Sequence, residues 1–522
     1  MRPLAACLLL LCACSGGGGG DSNPPPPPPP PTPPPVTTTQ VSGLSPFTAD
    51  CGGVGGTNFL NAEVEPHIAV DPLNANHLIG VWQQDRWSNG SSRGNLTGVS
   101  LDGGATWTLR APPLSVCAGG NEANGANYLR ATDPWVTIAP DGVAYQSSVS
   151  STGGTFGIGS SNAILVSRSL DGGITWSAPA TLIRDGSAFF NDKETITADP
   201  NDARFVYAVW DRLINGGNGP TVFARTADAG ATWEGARVIF DPGPNQQTIG
   251  NLIRVLPDGT VVNFYAHLQG DEDSVNNASL EVIRSTDHGL TWSAPIRISD
   301  FRPVGAVDPN TAQPIRDGAI IPQMAAAPNG ALYAVWQDGR FSGGARDGIA
   351  FSRSTDGGLT WSAPARINGE PSAAAFTPQV HVRADGTIGV TYFDLRSDTA
   401  DTATLLADYW IVRSSDGGAT WRETHVDGPF NVAAAPIVGG AFFLGDYMGL
   451  ASAGTTFLAF YTRTTPDATN RTNIYLARIA PATTAAADAA AARPADPSAT
   501  PGNLDARAFD NQRRARSERR VR

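Results

Sequence analysis

The chain has 522 residues, a formal net charge of −12 and 16% charged residues. That acidic balance argues against a nucleic-acid partner for the body of the protein. Five cysteines and six scattered histidines offer no transition-metal ligand spacing. Lys193 is the single lysine, so positive charge is almost all arginine, and an arginine alone is weak evidence of an anion site.

In chain order, residues 1–14 read as an export signal. Arg2 supplies a positive start and Leu4 to Leu11 an apolar run too short to span a bilayer. The segment "LCAC" (Leu11 to Cys14) resembles a bacterial lipobox, which implies cleavage before Cys14 and a lipid on its thiol. An ordinary signal peptide cut nearby is the alternative. Residues 15–39, a glycine run followed by a polyproline stretch, have the composition of a tether. With Cys7, Cys12 and Cys14 so used, Cys51 and Cys117 remain, and an even pair in an oxidising compartment predicts a disulfide between them. The expected location is the bacterial outer membrane or cell surface, with the lipid anchor as the one membrane contact and a monomer as the assembly.

Residues 40–481 carry an internal repeat. The pattern Ser/Thr-x-Asp-x-Gly-x-Thr-Trp occurs six times, starting at 100, 169, 226, 285, 354 and 414. Upstream of each copy lie two apolar segments joined by a Pro/Asp/Asn/Gly turn, as in "PHIAVDPLNANHLIGVWQQDRW" from Pro66 and "ETITADPNDARFVYAVWDRL" from Glu194. Alternation and β-branched or aromatic enrichment predict antiparallel hairpins. A third strand runs into each copy and a fourth leaves it, so each unit has four antiparallel strands in about 60 residues, the length of a propeller blade. Seven hairpins but six octapeptides are present. The last hairpin is followed by one further strand, Asn473 to Ala480, and its missing partner is predicted to come from Gln40 to Phe47, closing the ring. The fold class is therefore all-β, a propeller of seven four-stranded blades, with six as the alternative count. Residues 482–522, Ala/Pro-rich and then Arg-rich, are predicted to be a disordered tail.

Each octapeptide has the chemistry of a hairpin clasp. Asp102, Asp171, Asp228, Asp287, Asp356 and Asp416 can each accept backbone N–H bonds across the turn. The glycines allow unusual φ, and each tryptophan offers an apolar face. On this reading Asp171→Ala lowers stability by roughly 1–3 kcal/mol, as loss of a turn hydrogen-bond acceptor would.

Six such copies in four-stranded units resemble the Asp-box (BNR-repeat) propellers of the sialidase-like superfamily. The resemblance covers about residues 60 to 480 and implies a fold shared by sialidases, other glycoside hydrolases and lyases, and proteins without known reaction. Fold does not give function. The octapeptides occupy 3–4 turns, so a site is expected on the opposite face, at strand 2 ends and strand 1 starts. Strand 2 ends place Arg86, Arg212, Arg340 and Arg396 beside Asp85, Asp211, Asp338 and Asp394. Converging arginines suit a carboxylate- or sulfate-bearing sugar, and repeated structural salt bridges are the competing reading. Strand 1 starts supply "NDKE", with Asp192 and Glu194, and "GDYMG", with Tyr447. Sialidases use a tyrosine nucleophile activated by a carboxylate. The resemblance thus implies Tyr447 as nucleophile, Glu194 or Asp192 as its carboxylate partner, and the arginines as anion clamp. The sequence departs from that family in lacking an Arg-Ile-Pro motif at the start of the propeller. The loops 427–431, 191–194 and 338–347 are oxygen-rich enough to suggest Ca²⁺, but Gly/Asp loops are ordinary turn chemistry, and no metal or cofactor is predicted. The functional expectation is an exo-acting glycoside hydrolase on acidic sugars. The alternative is a non-catalytic propeller that binds glycan or protein.

Overall fold

The computed structural model describes residues 36–48, 50–52, 55–153, 159–214, 218–270, 277–481 and 493–498. The signal segment, Cys14 and most of the tether lie outside them. Among the described residues every regular element is a strand, apart from three short 3₁₀ turns.

Seven four-stranded antiparallel blades follow one another. Blade 1 is Glu63–Asp71, Asn74–Arg86, Ser92–Ser100 and Thr108–Arg110. Blade 2 is Arg130–Ile138, Ala144–Ser151, Ser161–Ser169 and Ala180–Gly186. Blade 3 is Phe189–Ala198, Val206–Ile214, Thr221–Thr226 and Arg237–Phe240. Blade 4 is Gln246–Val255, Val261–Gln269, Asn277–Ser285 and Ile296–Asp300. Blade 5 is Gln323–Ala326, Leu332–Asp338, Gly348–Ser354 and Ala365–Arg366. Blade 6 is Ala375–Val382, Ile388–Asp394, Leu406–Ser414 and Thr420–Asn431. Blade 7 takes Gly449–Ala453, Thr456–Thr464 and Thr472–Ile479 from the end of the chain. Its outermost strand is Val36–Gln40, paired antiparallel with Thr472–Ile479 so that Val36 faces Ile479 and Gln40 faces Tyr475. Closure by the N-terminus is as expected, but the strand lies earlier than Gln40 to Phe47. The first strand of each blade packs on the first strand of the next, from blade 1 round to blade 7 and back. This leaves no inner edge open.

Two boundaries move. The propeller begins at Val36 rather than 40, and the tail is not free of structure throughout. Arg493–Pro494 adds a fifth strand at the outer edge of blade 6, with Thr420 facing Pro494. Asp496 holds Arg366 of blade 5 at 2.9 Å. This segment ties the rims of two blades together.

The core is built from second strands. Trp82, Trp210 and Trp336 hold equivalent positions there and are fully buried. A buried indole N–H needs an acceptor. Gln84, Asn191 and Asp338 provide it, at 3.1, 2.8 and 2.7 Å. Cys51 and Cys117 are bonded to each other, with Cα atoms 5.4 Å apart.

All six octapeptides form the same clasp. In blade 2, Ser169 and the Thr175 N–H donate to Asp171 Oδ1 at 2.8 Å each, and Thr175 Oγ1 donates to Oδ2 at 2.6 Å. The Trp176 indole closes the turn on the Gly173 carbonyl at 3.0 Å. The Thr175 hydroxyl and N–H hold Asp171 down at about 2. Asp171 is solvent-exposed, so its bonds compete with water. Asp171→Ala is expected to cost about 1 kcal/mol, the lower end of the sequence-based range, read as a shift in urea midpoint at unchanged slope. The loss shrinks as pH falls from about 4 toward 2, because the native advantage of an acid with a depressed pKa vanishes there.

The arginine that precedes the octapeptide also has a role. Arg168, Arg225 and Arg353 each donate from the third strand of one blade to a backbone carbonyl in the octapeptide of the next, and Arg478, on the third strand of blade 7, which has no octapeptide of its own, does the same to blade 1. A run of arginines that reads as scattered positive charge is a set of latches between blades.

Candidate active site at the central mouth

The face opposite the octapeptides gathers the entries of the first strands. The antiparallel register slips at the same place in blades 1, 2, 3, 4 and 6, between Val64 and His67, Thr132 and Trp135, Asp192 and Thr195, Ile249 and Leu252, and Phe376 and Gln379. In each bulge one residue has positive φ: Glu65, Asp133, Lys193, Gly250 and Thr377. Bulges re-aim side chains. Here they turn Glu65, Asp133 and Lys193 toward one another from three consecutive blades. The next residue is proline in blades 1, 2 and 6 (Pro66, Pro134, Pro378), and in blade 3 it is Glu194.

Lys193 is the hub. Its Nζ lies 2.9 Å from Asp133 Oδ1, 2.7 Å from Asp446 Oδ2 and 3.5 Å from Glu65 Oε1. Asp446 also takes a two-pronged bond from Arg316, Nε to Oδ1 at 3.0 Å and Nη2 to Oδ2 at 2.5 Å. Gln83 bridges Glu65, Thr132 and Arg86. The Arg86 and Arg316 guanidinium carbons both lie 4.6 Å from the centre of the Phe443 ring. Close approach makes the cluster possible. A Cβ on Gly318 would sit 2.0 Å from the Asp446 carbonyl oxygen, and one on Gly445 (φ +135°) 2.8 Å from the Glu65 nitrogen.

Burial and pairing divide the acids into two kinds. Desolvation acts against ionisation of Asp446, but Arg316 and Lys193 overcome it and hold the group well below the ordinary carboxylate range. Asp133 is also held down, by Lys193 against the same burial. Burial pushes Glu65 up to about 8 despite Lys193. Glu194 is pushed well up by burial and then by the negative charge of Asp133. The Glu194 side chain is 1% exposed, and neither carboxyl oxygen has a hydrogen-bond partner among the described residues. Glu194 is the one acid of the four that lines a small cavity of about 20 Å³, room for one water, which Trp135, Lys193, Gln323 and Tyr447 also line. The Gln323 Oε1 is a further buried acceptor without a partner.

The expected residues fall into two groups. Glu194, Tyr447 and Arg86 belong to the mouth. Asp192 sits at the edge of the bulge, its Oδ1 accepting the Lys193 N–H at 3.2 Å. Tyr447 and Glu194 line the same cavity, but the phenol donates to the Pro134 carbonyl at 3.2 Å instead of a carboxylate. The other arginines do not join Arg86 in one clamp. Arg212 makes a two-pronged bond to Asp185 at 2.8 and 2.7 Å and stacks on Phe189. Arg340 pairs with Asp338 at 2.7 Å, and Arg396 with Asp394 at 2.6 Å and Glu423 at 2.9 Å. The Asp-x-Arg motif is an indole clamp in two blades. Asp338 accepts from Trp336 and Asp394 from Trp410, and the arginine neutralises the acid. The sequence reading missed Glu65, Asp133 and Arg316. The first two carry a signal, an acid before proline at the same register of consecutive first strands. Arg316 carries none, because it comes from the connection between blades 4 and 5.

No protein-family model matches the chain, and no curated protein matches it. Solved structures do. A protein of unknown function from Dyadobacter fermentans is 15% identical with a TM-score of 0.45, covering 85% of this chain and 100% of its own. The Hadza microbial sialidase Hz136 is 18% identical with a TM-score of 0.43, covering 77% and 73%. The GH93 α-L-arabinofuranosidase of Fusarium graminearum, solved with arabinobiose, is 14% identical with a TM-score of 0.42, covering 67% and 93%. The propeller assignment rests on the ring of seven sheets, and likenesses this distant add nothing about chemistry.

Proposed function

We propose that the protein is a glycoside hydrolase acting at the central mouth, with Glu194 as the general acid. One arrangement carries this reading: a buried, unpartnered carboxyl, whose ionisation burial opposes, lies in the field of Asp133, which Lys193 holds down. Glycoside hydrolysis needs one acid that keeps its proton at working pH and one carboxylate that does not. Asp133 and Asp446 have the environment for the second role. Tyr447, bonded to a backbone carbonyl, fits a wall of the site better than a nucleophile. Arg316 and Lys193 are paired with carboxylates, and Arg86, which has no ion pair among the described residues, is the mouth cation that favours an acidic sugar. The disulfide and the lipobox-like "LCAC" support an exported protein held at the cell surface through Cys14.

A second reading, a propeller that binds glycan without cleaving it, is favoured by the closure of Arg212, Arg340 and Arg396 on internal carboxylates. The test is release of 4-methylumbelliferone from a panel of α-sialoside, uronide and neutral glycosides across about pH 4–9. Turnover on an acidic glycoside supports the first reading. Saturable glycan binding by a folded protein that cleaves none of the panel supports the second.

A further inference from the structure

As a proton donor Glu194 has one difficulty: its side chain is 1% exposed. A general acid acts within hydrogen-bond reach of the atom it protonates, or through one water. The cavity beside it is a place for that water. Its wall takes Glu194, Gly250 and Gln323 from the first strands of blades 3, 4 and 5, one from each. Blades 1, 2, 3 and 6 put a side chain at the bulge position. Blade 4 puts Gly250 there, at φ +67°, and so leaves room between its neighbours.

Other polar groups of the wall are satisfied by protein. Lys193 bonds the Asp133 and Asp446 carboxylates. The Asn251 Oδ1 accepts from Thr221 and Asn263 at 3.0 Å each, and its Nδ2 donates to Thr248 at 3.3 Å. The Tyr447 phenol gives its proton to Pro134. Both Glu194 oxygens and the Gln323 Oε1 have no hydrogen-bond partner among the described residues, and Gln323 is 3% exposed. Buried polar groups are costly to leave unbonded. These two side chains line one space of about 20 Å³, which fits a single water.

We propose that the cavity holds one water that bridges Glu194 and Gln323 and relays the Glu194 proton to the glycosidic oxygen. The relay rests on Glu194 as the general acid. The water accepts the Glu194 O–H and donates one hydrogen to the Gln323 Oε1, which leaves its second hydrogen for the leaving oxygen. In the transfer the Glu194 O–H bond breaks and its proton passes to the water. The second O–H bond of the water breaks, and that proton goes to the leaving oxygen as its bond to the sugar carbon breaks. The relay water is regenerated, Glu194 is left a carboxylate, and the leaving group departs as an alcohol. The water that attacks the sugar carbon releases the proton that restores Glu194. Gln323 is a positioning residue, acting through the water it holds.

Infrared spectra of the full chain at pH 7, parent protein against Gln323→Leu, test the relay. The band to follow is the protonated-carboxyl C=O stretch that Glu194→Gln removes. It is expected to move to higher wavenumber in Gln323→Leu, with kcat about 10- to 100-fold lower and KM little changed. Crystals of the unaltered protein should show a water within about 3.2 Å of both the Gln323 Oε1 and a Glu194 oxygen, which decides the matter even where the variant fails to fold. An unmoved band, an unchanged kcat or a cavity without that water would overturn the relay and leave Glu194 as the acid. A parent protein with no such band would overturn the acid itself, and the relay with it.

Discussion

Lys193→Met is expected to lose about 3–5 kcal/mol of folding stability near neutral pH. The ammonium is 6% exposed and contacts three carboxyl groups from three blades. A methionine keeps the volume and removes the charge. Asp133 is then left buried with no cation at hydrogen-bond distance, and Asp446 keeps only Arg316. Breaking one partner out of a buried pair costs more than the pair contributes, because the survivor stays desolvated. The loss has a pH signature. In the native protein Asp133 and Asp446 sit below the ordinary carboxylate range, so their contribution is present above about pH 4 and fades as pH falls through the native values. In the variant the same acids are raised, and their penalty grows with pH. The native contribution is already nearly complete at pH 4.5, so the raised acids of the variant carry the pH dependence above it, and chemical denaturation at pH 4.5 and pH 8 should give a clearly smaller difference at the lower pH. Equal differences would mean that Lys193 acts by packing alone.

Glu194→Gln is expected to lower kcat about 100- to 10,000-fold on whichever glycoside the protein cleaves, with KM little changed. The amide keeps the shape and the neutral charge of the native side chain and lacks only the transferable proton. Stability should move the other way. The native pKa of Glu194 lies well above the ordinary carboxylate value. Its favourable contribution is therefore complete below about pH 4.3 and is lost as pH rises. Glutamine has no such dependence, so the variant should gain on the parent protein steadily as pH increases. A less active, more stable variant separates a working acid from a structural one.

The parts of the protein legible in sequence are those whose chemistry is local. Asp171 bonds residues within four positions of itself, so its octapeptide can be read in isolation. The unpaired strand at Thr472–Ile479 implied a partner from the other end of the chain, and Val36–Gln40 is that partner. The mouth is not local. Lys193 and Asp446 are 253 residues apart, and Arg316 and Asp446 130. Glu194 and Tyr447 were reachable because they sit at first-strand entries, where any propeller brings residues together. Arg212, Arg340 and Arg396 read as ligand residues in the sequence because their motif repeats at strand 2 ends. Repetition marked a recurrent structural need, an acid for an indole N–H and a cation for that acid, more than a shared ligand. Glu65 and Asp133 were overlooked because a β-bulge with positive φ leaves almost no trace in composition, although it decides where both side chains point.

A general acid at Glu194 requires this carboxyl to keep its proton beside ionised carboxylates in the folded protein at neutral pH. Infrared difference spectroscopy of the parent protein against Glu194→Gln at pH 7 measures this without needing a substrate. A protonated-carboxyl C=O stretch is expected in the parent protein and absent in the variant. A difference spectrum containing only carboxylate bands would contradict it.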